Sequence, residues 1–191
     1  MINIFGCIII SYLLGSIPSG IIIAKLFNLG DIRKIGSGNT GATNVLRTGN
    51  YKASAITLLL DVLKAIIAIK ACELLFPDTY ILSALFILIG HIFPVWLKKF
   101  SGGKGYASFL GIMIATNCIL FFITISIWII CFLIFRISSL SALISTLGLM
   151  IAAYLLLGAE DGQLYFLISM IILISHGKNI FRLLGGTEKP L

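Results

Sequence analysis

YASFLGIMIATNCILFFITISIWIICFLIF, residues 106–135, is the run whose reading decides the fold. As one helix it would measure about 45 Å, well beyond a hydrocarbon core of roughly 30 Å. Two short helices turning near Thr116-Asn117 fit better. Further apolar runs lie at about 2–24, 53–76, 80–97, 139–157 and 163–175. Lipid offers a spanning backbone no partners of its own, so these runs are predicted to be helices. The expectation is an all-α polytopic membrane protein with seven transmembrane helices, forming one domain over residues 1–191.

Composition agrees. The chain has 191 residues, of which 59% are hydrophobic and only 11% charged. Mean hydropathy is +1.12. Soluble domains carry about a quarter charged residues. The net charge of +7 reads first as a topology signal rather than a nucleic-acid surface. With seven spans, Lys25, Arg33, Lys34, Arg47, Lys52, Lys98, Lys99, Lys104, Arg136, Lys178, Arg182 and Lys189 fall inside. Glu73, Asp78, Glu160 and Asp161 fall outside. Six spans would put Arg136 and the basic tail outside, against the positive-inside rule. No basic residue precedes the first run and Lys25 follows it, so a retained span with its N-terminus outside is expected, and a cytoplasmic C-terminus. The four cysteines show neither C-x-x-C nor Cys/His spacing, and no metal site is predicted.

Three polar, glycine-rich islands interrupt the scaffold, and the seven-span count puts all of them on the cytoplasmic side. Residues 36–47, GSGNTGATNVLR, contain G-x-G-x-x-G. A Rossmann fingerprint needs a strand before it, which this position between membrane helices lacks. The backbone argument survives: N–H groups around Gly38 and Gly41 can form an anion-holding nest. Ser37, Asn39 and Asn44 add neutral donors, and Arg47 adds a fork suited to phosphate oxygens. A plain capped turn is the competing reading. The second island, Ser101-Gly102-Gly103-Lys104-Gly105, is not a Walker loop, because Lys98 and Gly105 stand where Gly and Ser or Thr are required. It leaves a lysine among glycines close to a helix start, where free N–H groups favour anions. The third, residues 176–182, HGKNIFR, offers His176, Asn179 and Arg182. If the helix continues, His176 and Asn179 share a face.

Other polar residues have plainer readings. Asp61 and Lys64, three apart inside a span, can form a structural ion pair. Ser138, Ser139 and Ser141 can cap a helix or line a cytoplasmic pocket, where Ser141 is expected to help bind substrate phosphate. His91, before Phe93-Pro94, reads as an interfacial or packing histidine. Neither G-x-S-x-G nor H-x4-D occurs.

Taken together, residues 36–47, Gly90-His91-Ile92-Phe93-Pro94 leading to Gly102–Gly105, and residues 176–188 resemble the three signature motifs of the bacterial acyl-phosphate:glycerol-3-phosphate acyltransferases, the PlsY family. Gly15-Ser16-Ile17-Pro18 and Asp61/Lys64 look similar too. Thr40, Gly177 and Tyr106 depart from the family pattern, where Pro, a basic residue and a small aliphatic are expected. The resemblance implies transfer of a fatty acyl group from acyl phosphate to the 1-hydroxyl of glycerol 3-phosphate. The products would be 1-acylglycerol 3-phosphate and phosphate, in phospholipid synthesis at the cytoplasmic face of the bacterial inner membrane. It implies no cofactor, and a soluble enzyme supplying acyl phosphate as a functional partner.

The expected roles follow. First-island N–H groups with Ser37 and Asn39 hold the acyl-phosphate head. Lys104 and Arg47 neutralise phosphate charge, helped by Gly102, Gly103, Gly105 and Arg182. His176 and Asn179 orient glycerol 3-phosphate. The proton acceptor is either His176 or a substrate phosphate oxygen. A transporter of a small phosphate ester is the alternative, against which stands the lack of a visible repeat.

Overall fold

A computed structural model describes residues 2–98 and 101–191. Lys99, one of the charges expected inside, lies outside them. The described residues contain helices and no strand. The chain divides into two compact units, Met1–Ala115 and Thr116–Leu191.

The first unit contains α1 (Ile2–Gly15), α2 (Ser19–Leu26), a 3₁₀ turn (Ile32–Lys34), α3 (Ala42–Leu46), α4 (Tyr51–Leu75), α5 (Ile81–Ile92) and all but the last residue of α6 (Tyr106–Thr116). The first apolar run is thus broken at Ser16-Ile17-Pro18, where Pro18 withholds an N–H from any continuing helix. Together Ile2–Leu26 is still long and apolar enough for one span. Helix α1 packs on α4 and α5. The α1–α5 approach depends on missing side chains. A Cβ on Gly15 would strike the Ile87 carbonyl, and one on Gly90 would strike that of Tyr12. Small residues let membrane helices close in this way. Asn50 caps α4, its Oδ1 accepting from Ala53 N at 2.9 Å. The run expected at 80–97 ends early as a helix, at Ile92. Pro94 disfavours helical geometry at Phe93 before it.

The second unit contains α7 (Cys118–Phe135), α8 (Ser138–Asp161), α9 (Gln163–Ser175) and α10 (Gly177–Leu184). The turn expected at Thr116-Asn117 is present: α6 stops there, and Asn117 Oδ1 caps α7 by accepting from Leu120 N at 3.1 Å. Arg136, at φ +57°, reverses the chain between α7 and α8. The regular geometry of α8 breaks at Gly158 (φ +79°), just past the expected end of that run at 157. Helix α8 packs against α7 and α9. Large exposed apolar side chains such as Phe122, Ile130, Leu133 and Ile134 on α7 suit a lipid environment.

Cys118–Phe135 and Ser138–Asp161 are also long and apolar enough to cross a membrane. The bent pair α9/α10 passes the same test as one span, while α5 and α6 are shorter apolar helices. Helix α4 has the length but carries Lys52, Asp61, Lys64, Lys70 and Glu73.

Candidate active site

The first island folds around one buried amide. Asn44, 1% exposed, accepts from Ser37 N at 3.0 Å through Oδ1. Its Nδ2 donates to Ile32 O at 2.6 Å and Asn39 O at 2.9 Å. Asn39 Nδ2 in turn donates to Ser37 Oγ at 3.2 Å. Ser37, Asn39 and Asn44 are therefore brought together, but Asn44 faces its own loop, the Ser37 N–H is already engaged, and the Gly38 N–H expected in the nest donates to Ile35 O at 3.0 Å. Gly36 and Gly38 take φ of +54° and +71°, the left-handed region that glycine enters without strain. The stem of Arg47 lies against Gly36, where a Cβ would meet Arg47 Cδ at 2.7 Å. Gly41 precedes the short helix α3, its carbonyl accepting from Asn44 N and Val45 N. Just upstream, Arg33 forms a two-pronged pair with Asp31 at 2.8 and 2.9 Å. Those hydrogen bonds, with one from the Arg33 N–H, pull the Asp31 carboxyl down to about 2.

The second island lies at the end of α5 and leads into α6. Gly102 N donates to Ile92 O at 2.9 Å and Gly103 N to His91 O at 3.2 Å. Gly102, Gly103 and Gly105 are buried and Lys104 is half-buried. Gly105, at φ +84°, leads into α6, as the reading of Lys104 near a helix start required. His91 is buried in the packing of this unit, with Nδ1 3.1 Å from Ser108 Oγ.

In the third island the helix does not run on. Helices α9 and α10 meet at 59°, and His176 ends one and begins the other. Asn179 N still donates to His176 O at 2.8 Å, so the two stay one turn apart. His176 is 3% exposed, with Nδ1 2.8 Å from Ile172 O. A carbonyl only accepts, so Nδ1 carries the proton and Nε2 is the basic nitrogen. Asn179 is 1% exposed. Its Nδ2 donates to Glu188 Oε1 at 2.6 Å, while its Oδ1 is buried with no hydrogen-bond partner among the described residues.

Glu188 is a centre that residue-by-residue reading missed. It also accepts from Ser139 Oγ at 2.6 Å and from Arg182 Nε. Burial alone would raise its pKa, but the bonds from Arg182, Ser139 and Asn179 outweigh this and hold it below the usual 4.5. Arg182, expected on a phosphate, is thereby paired. Ser139 makes a tertiary contact instead of a cap. Ser141 is wholly buried and donates to Ile137 O at 3.0 Å within its own turn. The available signals were its place at the end of the third motif and an acid six residues beyond an arginine. Among the described residues no group of three His, Cys, Asp or Glu could hold a metal.

Residues 5–186 match the family model for glycerol-3-phosphate acyltransferase. The glycerol-3-phosphate acyltransferase of Mesorhizobium japonicum is 46% identical over 181 residues, 95% of this chain and 92% of that protein. That of Ehrlichia canis is 45% identical over 193 residues, 99% of this chain and all of that protein. Among solved structures the chain is similar to PlsY (YgiH), an integral membrane glycerol 3-phosphate acyltransferase. The glycerol 3-phosphate form gives a TM-score of 0.90 at 32% identity, covering 98% of this chain and 94% of that one. The lysophosphatidic acid form gives 0.86 with the same coverage. This multi-pass, all-helical membrane chain belongs to the glycerol-3-phosphate acyltransferase family.

Proposed function

We propose that this acyltransferase moves a fatty acyl group from acyl phosphate to the 1-hydroxyl of glycerol 3-phosphate. The products are 1-acylglycerol 3-phosphate and inorganic phosphate. Seven spans, an outside N-terminus and a cytoplasmic C-terminus put the reaction at the inner face of the bacterial cell membrane, supplied by a soluble acyl-phosphate-forming enzyme. The observation that carries the reading is the unpartnered buried oxygen of Asn179, one turn from His176. A buried acceptor without a partner is costly, and a polyol hydroxyl would satisfy it. The solved relative described in glycerol 3-phosphate and lysophosphatidic acid forms adds an acceptor and a product of matching chemistry.

The step balances without a cofactor. The 1-oxygen of glycerol 3-phosphate attacks the acyl carbonyl carbon. The bond from that carbon to the bridging oxygen breaks, and phosphate leaves with the electron pair. The hydroxyl proton goes to the departing phosphate or to His176 Nε2. Phosphate is already a good leaving group, so positioning and charge stabilisation supply most of the catalysis. Ser37, Asn39 and the N–H group of Gly41 hold the acyl-phosphate head, while Gly38, whose N–H donates to Ile35 O at 3.0 Å, turns the loop that Asn44 shapes. Arg47 and Lys104 neutralise phosphate charge, and Gly102, Gly103 and Gly105 shape the loop that carries Lys104, the first two N–H groups being bonded to Ile92 O and His91 O. His176 and Asn179 orient the acceptor, and Glu188 holds Asn179 and Arg182. Ser141 contributes only if its hydroxyl changes partner.

Purified protein in detergent, given acyl phosphate and glycerol 3-phosphate, should form lysophosphatidate and release phosphate. Lys104→Ala should abolish turnover and leave a folded protein. Movement of glycerol 3-phosphate across vesicles without product would instead favour transport.

A further inference from the structure

Four buried polar side chains meet inside the first unit with no role in the chemistry above. Asp61, Lys64, His91 and Ser108 are each at most 7% exposed. Ionisable groups at such depth in a membrane protein are costly and mark something the fold needs. Lys64 Nζ lies 2.8 Å from Asp61 Oδ1 and donates to Ile17 O at 3.0 Å. The first contact is an ion pair by proximity, for Asp61 Oδ1 has no directed hydrogen bond among the described residues. Lys64 thereby ties α4 to the break between α1 and α2. On the other side, Ser108 Oγ donates to the Asp61 carbonyl at 3.0 Å. The hydroxyl proton being committed, His91 Nδ1 must donate to Ser108 Oγ at 3.1 Å. Asp61 Oδ1 stands 3.7 Å from the same Nδ1.

The ring so fixed turns its far edge to the second island. A Cβ on Gly103 would run into His91 Nε2, whereas a Cβ on Gly102 would run into the backbone carbonyl of His91. The loop is thus clipped to the end of α5 by two N–H···O bonds and seated on the imidazole edge. Its far end enters α6, which carries Ser108. One side chain touches both the loop and the helix that follows it.

We infer that His91, held by Ser108 and the Asp61–Lys64 pair, is a positioning residue that sets the shape of the Gly102-Gly103-Lys104-Gly105 loop for phosphate. This rests on the acyl-transfer reading above. His91 itself touches no substrate. Its loss therefore weakens binding of the phosphate-bearing substrates more than it slows turnover of bound ones.

The two glycines supply the test. Gly103→Ala should raise KM for the phosphate-bearing substrates about tenfold, the scale of an overpacked contact. His91→Ala should raise KM with kcat within about threefold of wild type, and His91→Asn, which keeps a polar atom for Ser108, should recover most of that loss. The combination His91→Asn/Gly103→Ala should bring KM back to within about threefold of His91→Asn alone, because the obstructing ring edge is gone. Gly102→Ala meets backbone, so neither His91 variant should relieve it. A Gly103→Ala defect unchanged by His91→Asn overturns the inference, as does equal relief of Gly102→Ala. Should His91→Ala fail to purify, the His91→Asn pairs make the same comparison. Wild-type turnover is the control: without lysophosphatidate the function reading fails, and with turnover but no coupling only the positioning role fails.

Discussion

Asn179 Nδ2 donates to Glu188 Oε1 across 2.6 Å, tying the first turn of α10 to the tail that follows it. The same carboxylate takes Ser139 at the start of α8 and Arg182 on α10. A buried carboxylate with three donors is well satisfied, and truncating it leaves those donors without a charge to meet. Glu188→Ala should cost about 2–4 kcal/mol of stability. Thermal unfolding in detergent measures it, and an unchanged midpoint contradicts the clasp.

The clasp also has a pH signature. The Glu188 carboxyl is held below 4.5 in the fold, the bonds from Arg182, Ser139 and Asn179 outweighing burial. A depressed acid adds stability that is fully present above its unfolded pKa and lost as pH falls through its folded one. As pH falls below about 5, wild type should lose stability more steeply than Glu188→Gln. The difference between the two profiles isolates this group from other acids, such as Asp31. Parallel profiles would show that Glu188 is not the titrating clasp.

Asn44 is the corresponding anchor of the first island. Its amide makes four hydrogen bonds, accepting from Ser37 N and Oγ and donating to Ile32 O and Asn39 O. Asn44→Asp keeps the acceptor for Ser37 but turns a carboxylate oxygen toward the carbonyls of Ile32 and Asn39. It should therefore damage activity at least as much as Asn44→Ala, by about tenfold or more in kcat/KM. An active Asn44→Asp variant would mean the loop is shaped by something else.

Much of this was legible in sequence because it is local. The Asp61–Lys64 pair follows from three-residue spacing on a helix, and the Thr116-Asn117 turn from the length of one apolar run. The three islands stand out from their apolar surroundings, and with the motif resemblance they pointed to the family. The parts that were not legible depend on residues far apart in the chain. His91 meets Ser108 across 17 positions and Asp61 across 30, and Ser139 meets Glu188 across 49. Nothing in the spacing of those residues announces the meeting. The bend at His176 escaped for a different reason. The run is apolar up to it and basic after it, which fits a straight helix leaving the membrane as well as a turned one.

The seven-span reading separates from six spans at the tail. Single cysteines at Ser101 and Lys189, in a protein whose native cysteines are replaced by alanine, should both react with an impermeant maleimide only from the cytoplasmic side. Six spans put position 189 outside. Labelling of 189 from the outer side would overturn the topology.

The bridging oxygen of acyl phosphate provides the most direct measurement. With that oxygen isotopically labelled, attack at the acyl carbon sends all of the label into inorganic phosphate, released one for one with lysophosphatidate, and none into lipid. Label retained in lipid or free fatty acid, or no product from acyl phosphate at all, would contradict acyl transfer from this donor.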